Sequence, residues 1–247
     1  MDNFSRHGGL IVDEMKLSEH LSVTTAGHVD GFVDLGPFTS AEDKHVICDH
    51  GMVIIFVPFV GKWTQILGAF ATHGNVEGGL LAKIMVEAVI LAEKAGLRVD
   101  FITSDGATWN RKMWTKMSIA ASLTSTRCSA VHPVDSDRQL FFLSDFPHLI
   151  KCLRNGLLKS DYQVPEGKVS MRVVRKAVKE DGTRSCVTLQ AMPGITNSHT
   201  DPNSFEKMRV SLAFQLFGKN VIDGMELYKT TIEERFGDIT ATLNFFR

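Results

Sequence analysis

Two aspartates stand at positions where side chains could do chemistry. Asp13 ends the apolar stretch at residues 10–12, and Asp105 follows the apolar stretch at residues 97–103. Both stretches have the composition of strands, and neighbouring parallel strands would bring the two carboxylates together. Adjacent carboxylates repel each other and are stable as anions only beside a cation, most often a hard ion such as Mg²⁺. This pattern suggests a two-metal site for attack on a phosphodiester.

A simpler interpretation of the same two residues is structural. A helix is expected to begin at Ala107, so that Asp105 could serve as its N-terminal cap, while Asp13 would mark the end of a strand. On spacing alone we favour this second interpretation.

The elements that must position these aspartates follow from hydrophobic periodicity. Apolar residues recur at helical spacing after Asn75, a candidate N-cap, and stop before Gly96. The predicted strands are residues 10–16, 31–35, 52–60, 65–71, 97–103 and 140–143, and the predicted helices are residues 75–95 and 107–117, one from Pro147, and several from Ser204 onward. The pattern predicts an α/β fold, a mixed sheet with flanking helices, followed by a mainly helical second half.

Composition narrows the class of protein. The chain has 247 residues, a formal net charge of -1 and 44% hydrophobic residues, which is typical of a globular protein. The longest apolar run, residues 52–60, is too short to span a membrane, so we expect no membrane partner and an intracellular protein. Four scattered cysteines (Cys48, Cys128, Cys152 and Cys186) favour buried reduced thiols over disulfides or a zinc site.

Charge is uneven along the chain. Residues 150–185 carry nine basic and four acidic side chains, whereas the remainder is acidic. A cluster of cations lowers the free energy of a nearby polyanion, so this basic island could contact phosphate. A solvated surface segment is an equally good interpretation.

Five sequence blocks carry a family resemblance. They are residues 10–15 (Leu-Ile-Val-Asp-Glu-Met), 29–36 (Val-Asp-Gly-Phe-Val-Asp-Leu-Gly), 103–110 (Thr-Ser-Asp-Gly-Ala-Thr-Trp-Asn), 145–155 (Asp-Phe-Pro-His-Leu-Ile-Lys-Cys-Leu-Arg-Asn) and 207–215 (Lys-Met-Arg-Val-Ser-Leu-Ala-Phe-Gln). In composition and order these blocks resemble the P-element transposase family, which includes the THAP-domain transposases. The resemblance extends from about Gly9 to the end of the chain.

The resemblance implies an architecture and an activity. It implies an RNase H-like catalytic core at residues 1–139 and a GTP-binding insertion domain at residues 140–247, both partial. Asp13 and Asp105 fall on the first two acids of the family's metal-binding triad. They would hold Mg²⁺ or Mn²⁺ for cleavage and strand transfer of DNA at transposon ends, in the nucleus. A homo-oligomer is implied for a full-length protein.

The resemblance also implies a nucleotide site. Asp145 and Lys151 match a block that takes part in binding GTP, and Lys168 with Val169 resembles a further contact pair. Asp223 matches an aspartate that reads guanine, with Lys219 at the expected position of an asparagine. A carboxylate can accept two hydrogen bonds from guanine that adenine cannot offer. The chain has no GxxxxGK[ST] loop, so hydrolysis of GTP is not predicted.

The third acid of the family and its zinc finger have no counterpart in these residues. We therefore expect a truncated transposase that is catalytically inactive alone. One alternative is a non-catalytic DNA- or GTP-binding protein derived from a transposase, and another is an unrelated metal-dependent α/β hydrolase without a preference for guanine.

Overall fold

A computed structural model describes residues 3–183 and 190–247, so that Arg184 and Cys186 lie outside the described residues. The chain divides into two compact units, Met1–Asp145 and Phe146–Arg247. The sequence predicted a boundary between residues 139 and 140. The two compact units divide six residues later, because Gln139–Ser144 form a strand of the first unit's sheet, and the identities of the two domains stay predictions.

The first unit is built on strands. In chain order the strands that the structure describes are β1 (His7–Lys16), β2 (Ser22–Val23), β3 (Val29–Asp30), β4 (His50–Pro58), β5 (Gln65–Thr72), β6 (Arg98–Ser104), β7 (Ala120–Ala121), β8 (Thr126–Arg127), β9 (Ser129–Val131) and β10 (Gln139–Ser144). The helices are α1 (Gly78–Lys94) and α2 (Thr108–Lys116), with short 3₁₀ turns at Asn3–Arg6, Gly36–Phe38 and Asp43–His45.

Six strands form a mixed sheet in the order β5-β4-β1-β6-β10-β9. The three central strands β1, β6 and β10 run parallel, and antiparallel neighbours flank them on both sides. Short hairpins pair β2 with β3 and β7 with β8. The three carboxyl ends of the parallel strands therefore share one edge of the sheet.

One face of this sheet packs on the helices. Leu10 and Val12 of β1 belong to the same buried cluster as Leu81 and Met85 of α1. Between them in β1, Ile11 is 37% exposed. This alternation is the two-residue period of a strand with one covered face.

Helix α1 begins and ends where local chemistry requires. The Glu77 side chain accepts a hydrogen bond from the Leu80 N–H at 3.0 Å, so the cap lies two residues after the predicted Asn75. Gly96 has a φ of +88°, a conformation that glycine adopts without strain, and it stops the helix as predicted. Gly78 allows close packing, since a Cβ there would lie 2.5 Å from the Lys112 Cβ of α2.

The strand predicted at residues 31–35 is wrong. This segment makes only isolated bridges, from Phe32 to Ile47 and from Asp34 to Ala71. Its N–H groups bond alternately to two different partner segments, so no continuous ladder can form.

The second unit is mainly helical, as predicted. Its described elements are α3 (Phe146–Lys159), the hairpin β11 (Tyr162–Val164) and β12 (Gly167–Val169), α4 (Met171–Thr183), α5 (Asn197–Thr200), α6 (Ser204–Met208), α7 (Val210–Leu216), α8 (Lys219–Leu227), α9 (Lys229–Phe236) and α10 (Thr240–Phe246). Its core includes Val174, Leu216, Met225 and Ile232.

The expectation of buried thiols is partly wrong. Cys128 and Cys152 are exposed and Cys48 is half-buried, and all three are free. Within the described part of the chain, no helix combines the length and the apolar character that a membrane crossing needs.

Candidate functional site

The first two predicted site residues meet at the carboxyl edge of the sheet. Strands β1 and β6 are parallel, with Ile11 opposite Thr103. Continuing this register by two residues sets Asp13 opposite Asp105. The neighbouring-strand arrangement expected from the sequence is therefore present, and the catalytic role of the pair stays a prediction.

Asp105 also fulfils the structural interpretation. Its Oδ1 accepts hydrogen bonds from the Ala107 N–H at 2.9 Å and from Asn110 Nδ2 at 2.7 Å, which fixes the carboxylate at the start of α2. Both bonds end on one oxygen, so anchoring Asp105 leaves the other oxygen, Oδ2, available to a further ligand.

Asp13 is the more open of the two carboxylates. The residue is exposed, and its Oδ1 accepts the N–H of Glu14 at 2.9 Å. Among the residues that the structure describes, no lysine, arginine or histidine forms an ion pair with Asp13 or Asp105. Two adjacent carboxylates without a protein cation are a donor set that suits a hard divalent ion.

Sequence reasoning missed a third carboxylate beside this pair. Both oxygens of Glu14 are buried and make no hydrogen bond of standard geometry in the described part of the chain, although a contact with the Val76 N–H lowers the pKa of the carboxyl. Burial raises the pKa of Glu14, His50 opposes that rise, and the charges of Asp105 and Asp13 add to it. The alternation of Leu10, Val12 and Glu14 could have identified Glu14, because it places all three on the covered face.

Asp49, the residue before β4, carries a carboxylate that is bonded through one oxygen. The Oδ1 of Asp49 contacts Nδ1 of His50 at 2.8 Å and accepts the Gly74 N–H at 2.6 Å. The bond with His50, followed by that from Gly74, lowers the pKa of Asp49 to about 2. Over residues 3–183 and 190–247, no three His, Cys, Asp or Glu side chains are grouped to hold a metal ion. The donor set at this edge is therefore open rather than a closed cage.

The opposite edge of the sheet holds a paired cluster. Arg138 Nη1 lies 2.9 and 3.0 Å from the two Glu93 oxygens, and its Nη2 lies 3.2 Å from Asp100 Oδ1. Glu93 also accepts the Val99 N–H at 2.8 Å, and His7 Nδ1 is 2.8 Å from Asp100. These contacts join α1, β1, β6 and the turn before β10, which is a structural role.

His132 also belongs to this cluster. It is 2% exposed, its Nε2 lies 3.1 Å from the Val99 carbonyl oxygen, and its Nδ1 accepts the Val134 N–H at 3.2 Å. Burial, together with the charge of Arg138, lowers its pKa.

The residues predicted to bind GTP lie on separate elements. Asp145 belongs to the first unit, where it follows β10 and donates its N–H to the Ser104 carbonyl oxygen at 3.0 Å, one strand away from Asp105. Lys151 lies on α3, and Lys168 on β12 pairs with Asp161 at 2.8 Å.

Val169 and Asp223, two of the residues predicted to bind GTP, already make contacts with other parts of the protein. Val169 is fully buried, so only its backbone could contact a ligand. The carboxylate of Asp223 bonds to Lys219 Nζ at 2.6 and 2.7 Å, which occupies the atoms that would read guanine. GTP binding at these residues stays a prediction.

The chain is similar to known transposases. Residues 1–118 match the family described as TNP-like, RNase H N-terminal domain. The P transposase of Drosophila melanogaster is 33% identical over 128 residues, 50% of this chain and 16% of that protein. The human DNA transposase THAP9 is 21% identical over 252 residues, 100% of this chain and 27% of that protein.

A solved structure agrees with these matches. The Drosophila P element transposase strand transfer complex superposes with a TM-score of 0.78 at 24% identity, covering 100% of this chain and 50% of that chain. At that identity the superposition establishes the fold, which is RNase H-like with a mixed central sheet and flanking helices. Residues 1–118 match the TNP-like RNase H N-terminal domain, and the chain is similar to P-element transposases, as the five sequence blocks indicate.

Proposed function

We propose that this chain supplies part of the catalytic core of a DNA transposase. The observation that supports this function best is that the parallel register of β1 and β6, continued by two residues, sets Asp13 opposite Asp105, with no protein cation paired to either in the described chain. The chain spans only 16% and 27% of the two relatives' lengths, so the activity of a whole transposase is inferred rather than observed for it.

Asp13 and Asp105 would hold Mg²⁺ or Mn²⁺. A bound divalent ion would activate a water or a 3′-hydroxyl and stabilise the leaving oxygen of a DNA phosphodiester. Asn110 and the Ala107 N–H keep the Asp105 carboxylate in place. Burial raises the pKa of Glu14, and the charges of Asp105 and Asp13 add to that rise.

With two acids the site holds an ion weakly, and we propose that this chain alone does not cleave DNA. DNA is the proposed partner, the nucleus is the proposed location, and a homo-oligomer is proposed for a longer protein. The alternative is a non-catalytic protein that binds DNA or GTP.

Metal binding can be tested directly by titrating Mn²⁺ into the protein and following free Mn²⁺ by electron paramagnetic resonance. We expect weak binding that is reduced at least about tenfold in Asp13→Asn and Asp105→Asn, since each removes one anionic ligand. Asp137→Asn, an exposed aspartate before β10, is the matched control and should bind as the wild type does. Equal binding by all four proteins would contradict the proposed site.

A DNA cleavage assay tests whether this chain is catalytically active alone. Incubation with Mg²⁺ and labelled DNA should give no product for this chain. Product formation that disappears in Asp13→Ala would show that the chain is active alone and would overturn the proposal of inactivity.

Binding of GTP can be tested at Asp223 and Lys219. If Asp223 reads guanine, Lys219→Ala should free its carboxylate and strengthen GTP binding, while Asp223→Ala should abolish any preference for GTP over ATP. Isothermal titration with both nucleotides measures this, and equal affinities in every protein would exclude guanine recognition by Asp223.

A further inference from the structure

A basic groove runs along α4 in the second unit. It has a volume of about 400 Å³. Its lining residues are Arg172, Arg175, Lys176, Lys179, Arg235 and Phe236, five cations and one aromatic ring. The four residues from α4 follow the spacing i, i+3, i+4, i+7, which places them on one side of the helix. The other side, with Val174 and Ala177, is buried in the core.

Only part of this charge is neutralised. Arg175 Nη2 pairs with Asp201 at 2.8 Å, and Lys176 pairs with Glu180. Arg172, Lys179 and Arg235 form no ion pair with any residue that the structure describes. The groove therefore keeps an excess of positive charge that a polyanion would neutralise.

The dimensions of the groove favour a polymer over a single phosphate. Arg172 and Lys179 are seven residues apart on one helix, which is about 10 Å along its axis. One strand of duplex DNA carries a phosphate about every 3.4 Å along the axis, so several phosphates fall within that length. A single free phosphate would reach only one end of it.

The side chains that line the groove are also suited to binding a chain of phosphates. Guanidinium groups present paired donors to phosphate oxygens. Arg235 lies over the Phe236 ring at 5.4 Å from its centroid, which holds that guanidinium in place at the edge of the groove. Phe236 is 37% exposed.

We propose that this groove binds the phosphate backbone of DNA without reading its sequence. The proposal goes beyond the metal site, because it places a DNA contact in the second unit on residues unconnected with Asp13 and Asp105. Phosphate contacts of this kind supply affinity and position rather than sequence specificity.

The experiment compares two double variants of the full chain by fluorescence anisotropy with labelled duplex DNA of arbitrary sequence. Arg172→Gln combined with Lys179→Gln removes two unpaired groove cations. Lys207→Gln combined with Arg209→Gln removes one exposed lysine and one exposed arginine of the same unit outside the groove. The measurement is repeated over a range of salt concentrations, with EDTA present so that metal at Asp13 and Asp105 plays no part.

For the groove variant we expect the slope of log affinity against log salt to decrease by about 1.8, since each lost phosphate contact removes about 0.9. The corresponding loss of affinity is about 10²-fold at low salt, near 50 mM. The control variant should stay within about twofold of the wild type. Equal losses in both variants, or an unchanged slope in the groove variant, would overturn the proposal.

Two further measurements keep the result unambiguous. Single variants Arg172→Gln and Lys179→Gln, each expected to lower the slope by about 0.9, replace the double variant if it fails to fold. GTP and inorganic phosphate are titrated separately, and binding of either that depends on Arg172 and Lys179 would make the groove a small-anion site and contradict the proposal. DNA binding is measured in EDTA and Mn²⁺ binding is measured without DNA, so failure of the metal site and failure of the groove are distinguishable.

Discussion

The two edges of the central sheet carry carboxylates in opposite electrostatic settings. At the amino edge of β6, Glu93 and Asp100 are bonded by Arg138 at 2.9 to 3.2 Å. At the carboxyl edge, Asp13 and Asp105 have no basic partner among the described side chains. A carboxylate paired with arginine is neutralised by the fold itself, whereas an unpaired cluster needs a ligand from outside. The comparison separates charges that hold the domain together from charges that are available for function.

The largest expected effect is at the paired edge. Arg138→Met should destabilise the protein by about 3 kcal/mol, because it leaves Glu93, whose side chain is 4% exposed, as a buried charge without its main partner. Urea unfolding measures the change. Arg98→Met is the control, since that side chain is 49% exposed and 3.5 Å from Glu93, and it should cost below about 1 kcal/mol. Similar losses in both variants would mean that Arg138 is not the essential partner.

At the carboxyl edge, where Asp13 and Asp105 have no basic partner in the described part of the chain, the stability of the protein should depend on bound metal. At a Mg²⁺ concentration ten times its dissociation constant, the wild type should gain about 1.4 kcal/mol of stability, since only the folded state brings the two aspartates together. Asp13→Asn and Asp105→Asn should lose this gain, and Asp137→Asn should keep it. Thermal unfolding with Mg²⁺ and with EDTA measures the difference. A gain that survives in Asp13→Asn would place the ion elsewhere.

Removing charge at the unpaired edge should stabilise the protein. Glu14→Gln keeps the shape of the side chain and removes a buried carboxyl group whose pKa is raised by burial and by the charges of Asp105 and Asp13. We expect a gain of about 1 kcal/mol in urea unfolding at neutral pH in EDTA. Glu19→Gln, an exposed control, should change stability by less than about 0.5 kcal/mol. Destabilisation by Glu14→Gln would indicate that this carboxylate has a stabilising partner.

The smallest effect concerns pH at the paired edge. Burial lowers the pKa of His132 below its ordinary value of 6.5, so the unfolded chain takes up the proton first as the pH falls. Stability is therefore lost as the pH falls through 6.5 and is fully present above it. His132→Gln should reduce the slope of the unfolding free energy against pH by about 0.7 kcal/mol per pH unit. This is half of the largest slope that the uptake of one proton can produce. Urea unfolding between pH 5 and 8 tests this, and equal slopes in both proteins would count against the assignment.

Much of the first unit could be predicted from local patterns. Strand β1 and helix α1 have clear periods of two and of three to four residues, and Gly96 stops the helix as its lack of a Cβ allows. Helix α4 was missed because its buried face, with Val173 and Val174 adjacent, is interrupted by cations that make the segment read as a polar stretch.

The partners of distant charges could not be predicted. Glu93 and Arg138 are 45 positions apart, and nothing local to either residue shows that they meet. Asp145 was assigned to the second domain, but the parallel pairing of β10 with β6 places it at the same edge as Asp105. Strand order is a long-range property that composition does not contain.

The sequence by itself determined the strand that contains Asp13, the strand that ends before Asp105, the mainly helical second half and the resemblance to P-element transposases, because each depends on neighbouring residues or on ordered blocks. Only the tertiary structure decided that β1 lies beside β6, that the Glu14 carboxyl is buried near both aspartates, and that three cations of the α4 groove form no ion pair with the described residues. These depend on which surfaces pack together, since pairing and burial are set by contacts between segments far apart in the chain.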